Sequence, residues 1–222
     1  MGKYNFFNPY RYGVHQKIID YVGKQKIVLD VGCAEGALSE KMLLNQCEIV
    51  GIEFNKLSAQ TAKNYCKEVI LGDIESIELT KEYDNYFDFV IFADVLEHLK
   101  EPLNAINKFK RYLKDDGFFI ISVPNISNWR MRVKFLFGNF QYEDYGILDN
   151  THLRFFNYKS TKKLISDAGL EIVNFDVTMN GVNKFAKFSY LLCKLWPNLF
   201  AYQFLIVAKI KNKKNDSLLN TS

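Results

Sequence analysis

The chain has no uninterrupted apolar run long enough to cross a bilayer, and its first residues, Met1 to Arg11, are polar and aromatic without an apolar signal-peptide core. A helical membrane span is therefore not expected, and the cytoplasm is the expected location. Cysteine is sparse. Cys33, Cys47, Cys66 and Cys193 show no short paired spacing and no companion histidine pattern. They read as buried small hydrophobes of a reducing compartment rather than a disulfide framework or a zinc site, and no bound metal is expected. An excess of one charge is lacking too: 29 basic residues against 25 acidic ones leave a net +4, too small a bias to imply a polyanionic partner without a clustered patch. The densest basic cluster, Lys209 to Lys214, reads as part of a solvated terminus, with a flexible tail over 213–222. Internal repeats and Pro-, Gly- or Ser-rich linkers are absent, so one domain with embellishments is expected.

What is present is an alternation of short β-rich runs with helical stretches. Lys26–Val31, Glu48–Glu53, Glu68–Leu71, Phe87–Phe92 and Gly117–Val123 are compact, branched or aromatic and mostly apolar, the texture of strands buried on both faces of a parallel sheet. Between them, Ala37–Asn45, Ser58–Tyr65 and Leu103–Leu113 carry apolar residues at helical spacing, the last through Leu103, Ile106, Phe109, Lys110 and Leu113. The rhythm breaks after the fifth run. Residues 124–158 form an aromatic, polar insertion expected to hold a short helix near Asn128–Leu136 and a loop over the sheet edge. Ser160 then caps a helix through Ala168 that Gly169 ends, and strands follow at Leu170–Val177 and Gln203–Ile210. Between these last two, residues 183–200 form a helical insertion with an apolar stripe, stopped by Pro197. The expected fold class is α/β, a three-layer sandwich on a mostly parallel seven-stranded sheet with the last strand antiparallel. Residues 1–25 are expected to form an N-terminal helical lid, and 26–212 the main domain.

The first strand runs into Asp30-Val31-Gly32-Cys33-Ala34-Glu35-Gly36 and then a helix. Small residues at 32, 34 and 36 let the backbone turn tightly against a ligand, and amides at a helix start favour an anionic group. A dinucleotide fingerprint needs G-x-G-x-x-G, but the middle position is Ala34 and Gly36 comes one residue too early; a Gly-Lys-Ser/Thr phosphate loop is absent. Glu53 ends the second strand where a carboxylate can accept hydrogen bonds from a ribose diol, and Phe54 offers a ring to cover a base. Asp73, followed by Ile74, ends the third. A solvated strand end at Glu53, or a turn residue at Asp73, is the plainer reading of each.

Taken in order, VLDVGCAEG (28–36), GIE (51–53), GDI (72–74), FDFVIFADVLEHL (87–99) and LKDDGFFIISVPN (113–125) resemble the class I, Rossmann-like S-adenosylmethionine-dependent methyltransferases over most of the chain. The resemblance implies that Asp30, Gly32, Cys33, Ala34 and Gly36 cradle the methionine part of S-adenosylmethionine. It implies that Glu53 binds both ribose hydroxyls, that Asp73 and Ile74 recognise adenine, which Phe54 is placed to cover, and that Ala93, Asp94 and His98 lie along the cofactor. It departs from the family at Ala34, where a middle glycine is usual. The run THLRFF (151–156) resembles small-molecule methyltransferases, including those of polysaccharide and lipid-linked sugar biosynthesis, and places His152 and Arg154 on the acceptor side. His152 is the base candidate among three histidines; Arg154 either clamps a carboxylate or phosphate or anchors the loop. His15 reads as a structural or lid residue.

Methyl transfer from a sulfonium needs alignment above all, and a base chiefly for hydroxyl acceptors. The expected acceptor is a small molecule, a sugar or phosphorylated metabolite, taken at a hydroxyl or amine. Nucleic acid is not an expected partner. Ala93-Asp94-Val95-Leu96 replaces the Pro-Pro-aromatic run of base N-methylation, no cysteine sits where cytosine chemistry needs one, and Trp129–Lys134 is a short basic-aromatic stretch only. A nucleic-acid or protein methyltransferase, a cofactor-binding scaffold or regulatory subunit, and a nicotinamide oxidoreductase are the alternatives. Residues 184–200 could pack in the core, form a homodimer face or touch a membrane surface.

Overall fold

The computed structural model describes residues 7–179 and 185–211. The tail expected over 213–222 and the first residues of the 183–200 insertion lie outside them. Helix α1 (Val14–Val22) precedes β1 (Ile27–Val31), α2 (Ala37–Leu44), β2 (Glu48–Glu53), α3 (Lys56–Ala62), β3 (Glu68–Leu71) and β4 (Phe87–Ala93). Then come α4 (Pro102–Phe109), β5 (Leu113–Pro124), α5 (Trp129–Leu136), α6 (Tyr158–Asp167), β6 (Leu170–Thr178), α7 (Ala186–Leu195), α8 (Pro197–Phe200) and β7 (Gln203–Ile210).

The strands form one seven-stranded sheet in the order β3-β2-β1-β4-β5-β7-β6. Those from β3 to β5 run parallel, and β7 runs antiparallel between β5 and β6, as expected for the last strand. Alternate side chains divide the core into two layers. On one face Leu29, Val31, Val90 and Phe92 meet Ile106 and Phe109 of α4 and Ile165 of α6. On the other, Val28, Phe89, Ile91 and Ile120 meet Ile18 of α1, Leu38 and Met42 of α2 and Ala62 of α3. Each such large side chain, fully withdrawn from water, contributes roughly 1.5–3 kcal/mol before the entropy of ordering it is set against it. The three-layer α/β sandwich is thus the fold. Chain direction across the sheet reverses between β1 and β4, which opens a crevice at their carboxyl ends.

Local chemistry moves several boundaries. The α4 stripe ends at Phe109 and β5 begins at Leu113 rather than Gly117. Tyr112, off that stripe, is fully buried with its hydroxyl accepting from the Leu79 amide at 2.8 Å, which draws the chain out of the helix. Helix α3 starts earlier than Ser58 because Asn55 accepts from the Leu57 and Ser58 amides at 2.9 and 3.1 Å. Helix α6 is capped by Asn157, not Ser160. The Asn157 side chain accepts from the Lys159 and Ser160 amides, and the Ser160 hydroxyl accepts from the Asn157 amide in return, a reciprocal box.

Helix α1 is built into a core layer through Val14, Ile18, Ile19 and Val22. Pro197 opens α8, where its missing N–H costs nothing, after α7 has already ended. The stripe of α7 is not core: Phe188, Leu191 and Leu195 are exposed, as are Phe185 and Trp196 beside it. No helix among the described residues is long and apolar enough to cross a membrane.

Candidate active site

The crevice is organised around Gly32. Its φ of +78° is a left-handed backbone that favours glycine, and a Cβ there would lie 2.8 Å from Cγ2 of Val95 and 3.6 Å from Cδ1 of Ile74. The turn after β1 thereby touches both the turn after β3 and the turn after β4. The Gly32 and Cys33 amides both donate to the Ile52 carbonyl, at 2.8 and 3.0 Å, and the Gly36 amide donates to the Cys33 carbonyl. These amides hold the loop itself, so the cradle at these positions is one of shape rather than of backbone donors. Ala34 also sits left-handed, at φ +49°, and its amide donates to Oε2 of Glu53 at 3.0 Å.

Glu53 is 5% exposed, and its Oε1 accepts from the Asn55 amide at 2.8 Å. A carboxylate has about four lone-pair sites, so one backbone donor on each oxygen leaves capacity for a diol. Phe54 beside it is 75% exposed, a ring without a protein neighbour covering it. Asp73 lies at the surface, its Oδ1 accepting from the Glu75 amide, and Ile74 is buried under the loop. Cys33 turns its thiol inward, where it would meet a Cβ on Gly51 at 2.7 Å, and all four cysteines are buried and free. Asp30 is fully buried behind the loop and accepts from the Ser39 hydroxyl at 2.8 Å, tying β1 to α2. Burial pushes its carboxyl up to about 6, with Ser39 opposing and Glu53 adding to the rise.

After β4, Ala93 and Asp94 enter the second wall. Asp94 is left-handed at φ +54°; it accepts from Ser122 at 2.6 Å and from Gln203 at 2.8 Å, which fixes the turn to β5 and β7. A 3₁₀ turn over Leu96–His98 follows. The Glu97 carbonyl accepts from the amides of both Leu153 and Arg154, at 2.8 and 3.0 Å, so this turn captures the insertion and seats His152 beside it. The His98 and His152 rings meet edge-on with centroids 4.8 Å apart. His152 is 8% exposed, and burial, with His98 nearby, lowers its pKa from the ordinary histidine range. Arg154 instead points to the rim: Nε and Nη2 donate to the Lys100 carbonyl at 3.0 and 2.5 Å, and Nη2 lies 3.6 Å from Glu101. His15 accepts from the Asn8 amide through Nδ1 at 3.0 Å and stacks on Phe7.

The sequence pattern did not foretell the part played by Glu97. Both its carboxylate oxygens are buried without a hydrogen-bond partner, and one ligating atom each of Glu97, His98 and His152 falls within 4.8 Å of the others. Adjacent Glu97-His98 beside a later lone histidine was the signal present.

Residues 10–174 match the family model described as "Methyltransferase domain". The chain is 31% identical over 122 residues to a ubiquinone biosynthesis O-methyltransferase of Nitrosomonas europaea, covering 53% of this chain and 52% of that one. The match therefore spans about half the length of that relative. An uncharacterized protein of Methanocaldococcus jannaschii is 28% identical over 229 residues, covering 93% and 85%. In fold, the chain is similar to a SAM-dependent methyltransferase of Archaeoglobus fulgidus (TM-score 0.61, 19% identity, 87% and 90% covered) and to one of Aquifex aeolicus (TM-score 0.61, 18% identity, 93% and 94% covered). The family model spans well over half of the chain, and the chain belongs to the methyltransferase-domain family.

Proposed function

We propose that the enzyme methylates an oxygen of a small-molecule acceptor, held between the turn after β4 and the insertion after β5. The observation that carries this reading is the Glu97–His98–His152 cluster beside the crevice, with Glu97 buried and His98 half-buried. An amine can attack with its own lone pair, whereas a hydroxyl must shed a proton as the new bond forms, and this cluster is where that proton is handled. S-adenosylmethionine supplies the methyl group on a sulfonium, a leaving group that needs no acid.

The chain's own residues bind and align. Gly32 and Ala34 leave room for the methionine part, Glu53 accepts from the ribose hydroxyls, Phe54 covers adenine, and Asp73 with Ile74 meets its edge. Ala93, Asp94 and His98 line the side from which the acceptor approaches.

The acceptor's character is the finer part. The relatives' names include ubiquinone biosynthesis, and α5 with the turn after it carries exposed Trp129, Phe137, Phe140 and Tyr142 from the carboxyl end of β5. Both support an aromatic or apolar hydroxyl compound. A sugar or phosphorylated acceptor clamped by Arg154 has less support, because that side chain already donates twice to the Lys100 carbonyl. The exposed α7 stripe, flanked by Lys187 and Lys194, suits a membrane surface or a second copy of the chain.

The test is methyl transfer from labelled S-adenosylmethionine to a panel of catechols, polyprenylated phenols, nucleotide sugars, amines and transfer RNA, with products located by mass spectrometry. A methyl ether on a phenolic acceptor is the expected product. Transfer confined to nitrogen, or to nucleic acid, would overturn the reading.

A further inference from the structure

A carboxylate sealed from water with neither oxygen hydrogen-bonded is expensive to keep, since burial of a charge without a partner costs several kcal/mol. Glu97 is in that position, 1% exposed. One nitrogen each of His98 and His152 lies within 4.8 Å of a Glu97 oxygen, and the carboxylates of Asp94 and Asp149 are near enough to repel its charge. The His152 Nδ1 lies 3.2 Å from the Ile147 carbonyl, which can only accept, so Nδ1 carries the proton and Nε2 the lone pair. For His98, Nδ1 lies 3.3 Å from the Thr151 carbonyl and 3.1 Å from the Thr151 hydroxyl. That hydroxyl gives its own proton to Oδ1 of Asp149 at 2.7 Å, so it too accepts from His98. Both histidines are therefore Nδ1–H tautomers with Nε2 lone pairs, each oriented through its other nitrogen by a backbone carbonyl. Metal-binding histidines are held in this way.

We propose that Glu97, His98 and His152 form a divalent-cation site at the acceptor side of the crevice. Two imidazoles and one carboxylate suit a borderline cation such as Zn²⁺, Mn²⁺, Fe²⁺ or Co²⁺ better than Mg²⁺ or Ca²⁺, which prefer all-oxygen sets. The cation supplies the charge that Glu97 lacks. Asp149 and Thr151 act as positioning residues for His98, and Ile147 does the same for His152. Three protein ligands leave a coordination position open, and an acceptor oxygen there has its proton acidified. The hydroxyl proton passes to solvent, an oxygen lone pair forms the C–O bond, and the C–S bond breaks with its electron pair retained on sulfur, giving a methyl ether and a neutral thioether. In that use the His152 lone pair is a ligand and not the base. Cation binding stands on the geometry alone; its use on a hydroxyl rests on the reading above.

The experiment takes the full chain, freed of metal with chelator and dialysed, and titrates it with Co²⁺ by calorimetry and visible absorption, followed by displacement with Zn²⁺. One equivalent bound, with a ligand-field band that Zn²⁺ abolishes, is expected. His98→Ala and His152→Ala, shown by circular dichroism and thermal melting to be folded, should each lose at least about tenfold in cation affinity, and Thr151→Val about tenfold through its effect on His98. Failure of the wild-type chain to bind Co²⁺ or Zn²⁺ at millimolar concentration, or binding untouched by both histidine variants, overturns the site. Methyl transfer on a catechol is then followed with and without chelator. Loss on chelation and recovery with cation supports the catalytic use, whereas full activity after chelation overturns that use. Transfer to nitrogen alone, in a chain that binds the cation, defeats the hydroxyl reading and leaves the site standing.

Discussion

Lys17 of α1 donates to Oδ2 of Asp176 in β6 at 2.5 Å, across 159 positions of sequence, with both side chains buried. Tyr190 of α7 completes the group: its hydroxyl accepts from Lys17 at 2.7 Å and donates to Oδ1 of Asp176 at 2.6 Å. Burial alone would raise the Asp176 carboxyl, but Lys17 and Tyr190 hold it below the ordinary range. Removing Lys17 leaves this buried carboxylate with the more distant cation of Lys194, at 3.8 Å from Oδ1. Lys17→Met is expected to cost about 3–5 kcal/mol in urea denaturation, and the double variant Lys17→Met/Asp176→Leu to recover part of that loss.

The pH response of Asp30 has the opposite sign. Its folded pKa, about 6, lies above that of an unfolded aspartate, so its contribution to stability is complete below about pH 4 and is lost as pH rises through about 6. A rise of roughly two units corresponds to about 3 kcal/mol. Asp30→Asn keeps an oxygen for Ser39 to donate to and removes the titration. The stability of the wild type relative to Asp30→Asn should therefore fall between pH 4 and pH 7, and a flat difference would contradict the assignment.

Gly32→Ala tests the shape of the cradle. The substitution places a methyl group 2.8 Å from Val95 and forces a left-handed alanine, which costs about 1–2 kcal/mol for the backbone alone. A thermal melt should show that loss, and calorimetry should show at least about tenfold weaker binding of S-adenosylhomocysteine. Unchanged affinity would mean that the turn does not form the cofactor wall.

Much of this was legible in the sequence because buried parallel strands write themselves as apolar runs, and β2, β3 and β7 fall at the boundaries read from it. The Gly32, Glu53 and Asp73 positions were legible for the same reason, each standing at the end of such a run or within two residues of it. Long-range polar geometry was not. Nothing adjacent in sequence ties Lys17 to Asp176, and Glu97 meets His152 only because the Glu97 carbonyl captures two amides of the insertion. Caps were misplaced by three residues where two polar residues compete, since Asn157 and Ser160 serve one box from both ends.

Asn125, fully buried after β5, shows the same long-range polar geometry. Its Nδ2 donates toward the carbonyls of Pro197, Asn198 and Ala201 at 3.3, 3.2 and 2.9 Å, while Oδ1 accepts from the Ser127 amide at 3.0 Å. Asn128 adds a second donor to Ala201 at 2.9 Å. Asn125→Ala should cost about 1–3 kcal/mol, with amide exchange accelerated around α8. Asn128→Ala should cost a comparable amount, since it leaves the Ala201 carbonyl its bond from Asn125 but removes the side chain that caps α5 at the Arg130 amide.

Glu53 serves the loop and, on the proposed reading, the ribose, and two variants separate these duties. Glu53→Ala strips acceptors from the Ala34 and Asn55 amides together, so stability and cofactor affinity should fall in step, the former by about 1–3 kcal/mol. Glu53→Gln keeps one carbonyl oxygen for one of those amides but replaces the other acceptor by a donor. Its fold should lose less than that of the alanine variant, while S-adenosylhomocysteine binding, measured by calorimetry, should still weaken about tenfold, because a diol offering two protons needs two acceptors. If Glu53→Gln binds the product as tightly as the wild type does, the carboxylate holds the loop alone, and recognition of the ribose belongs to another group on the crevice wall.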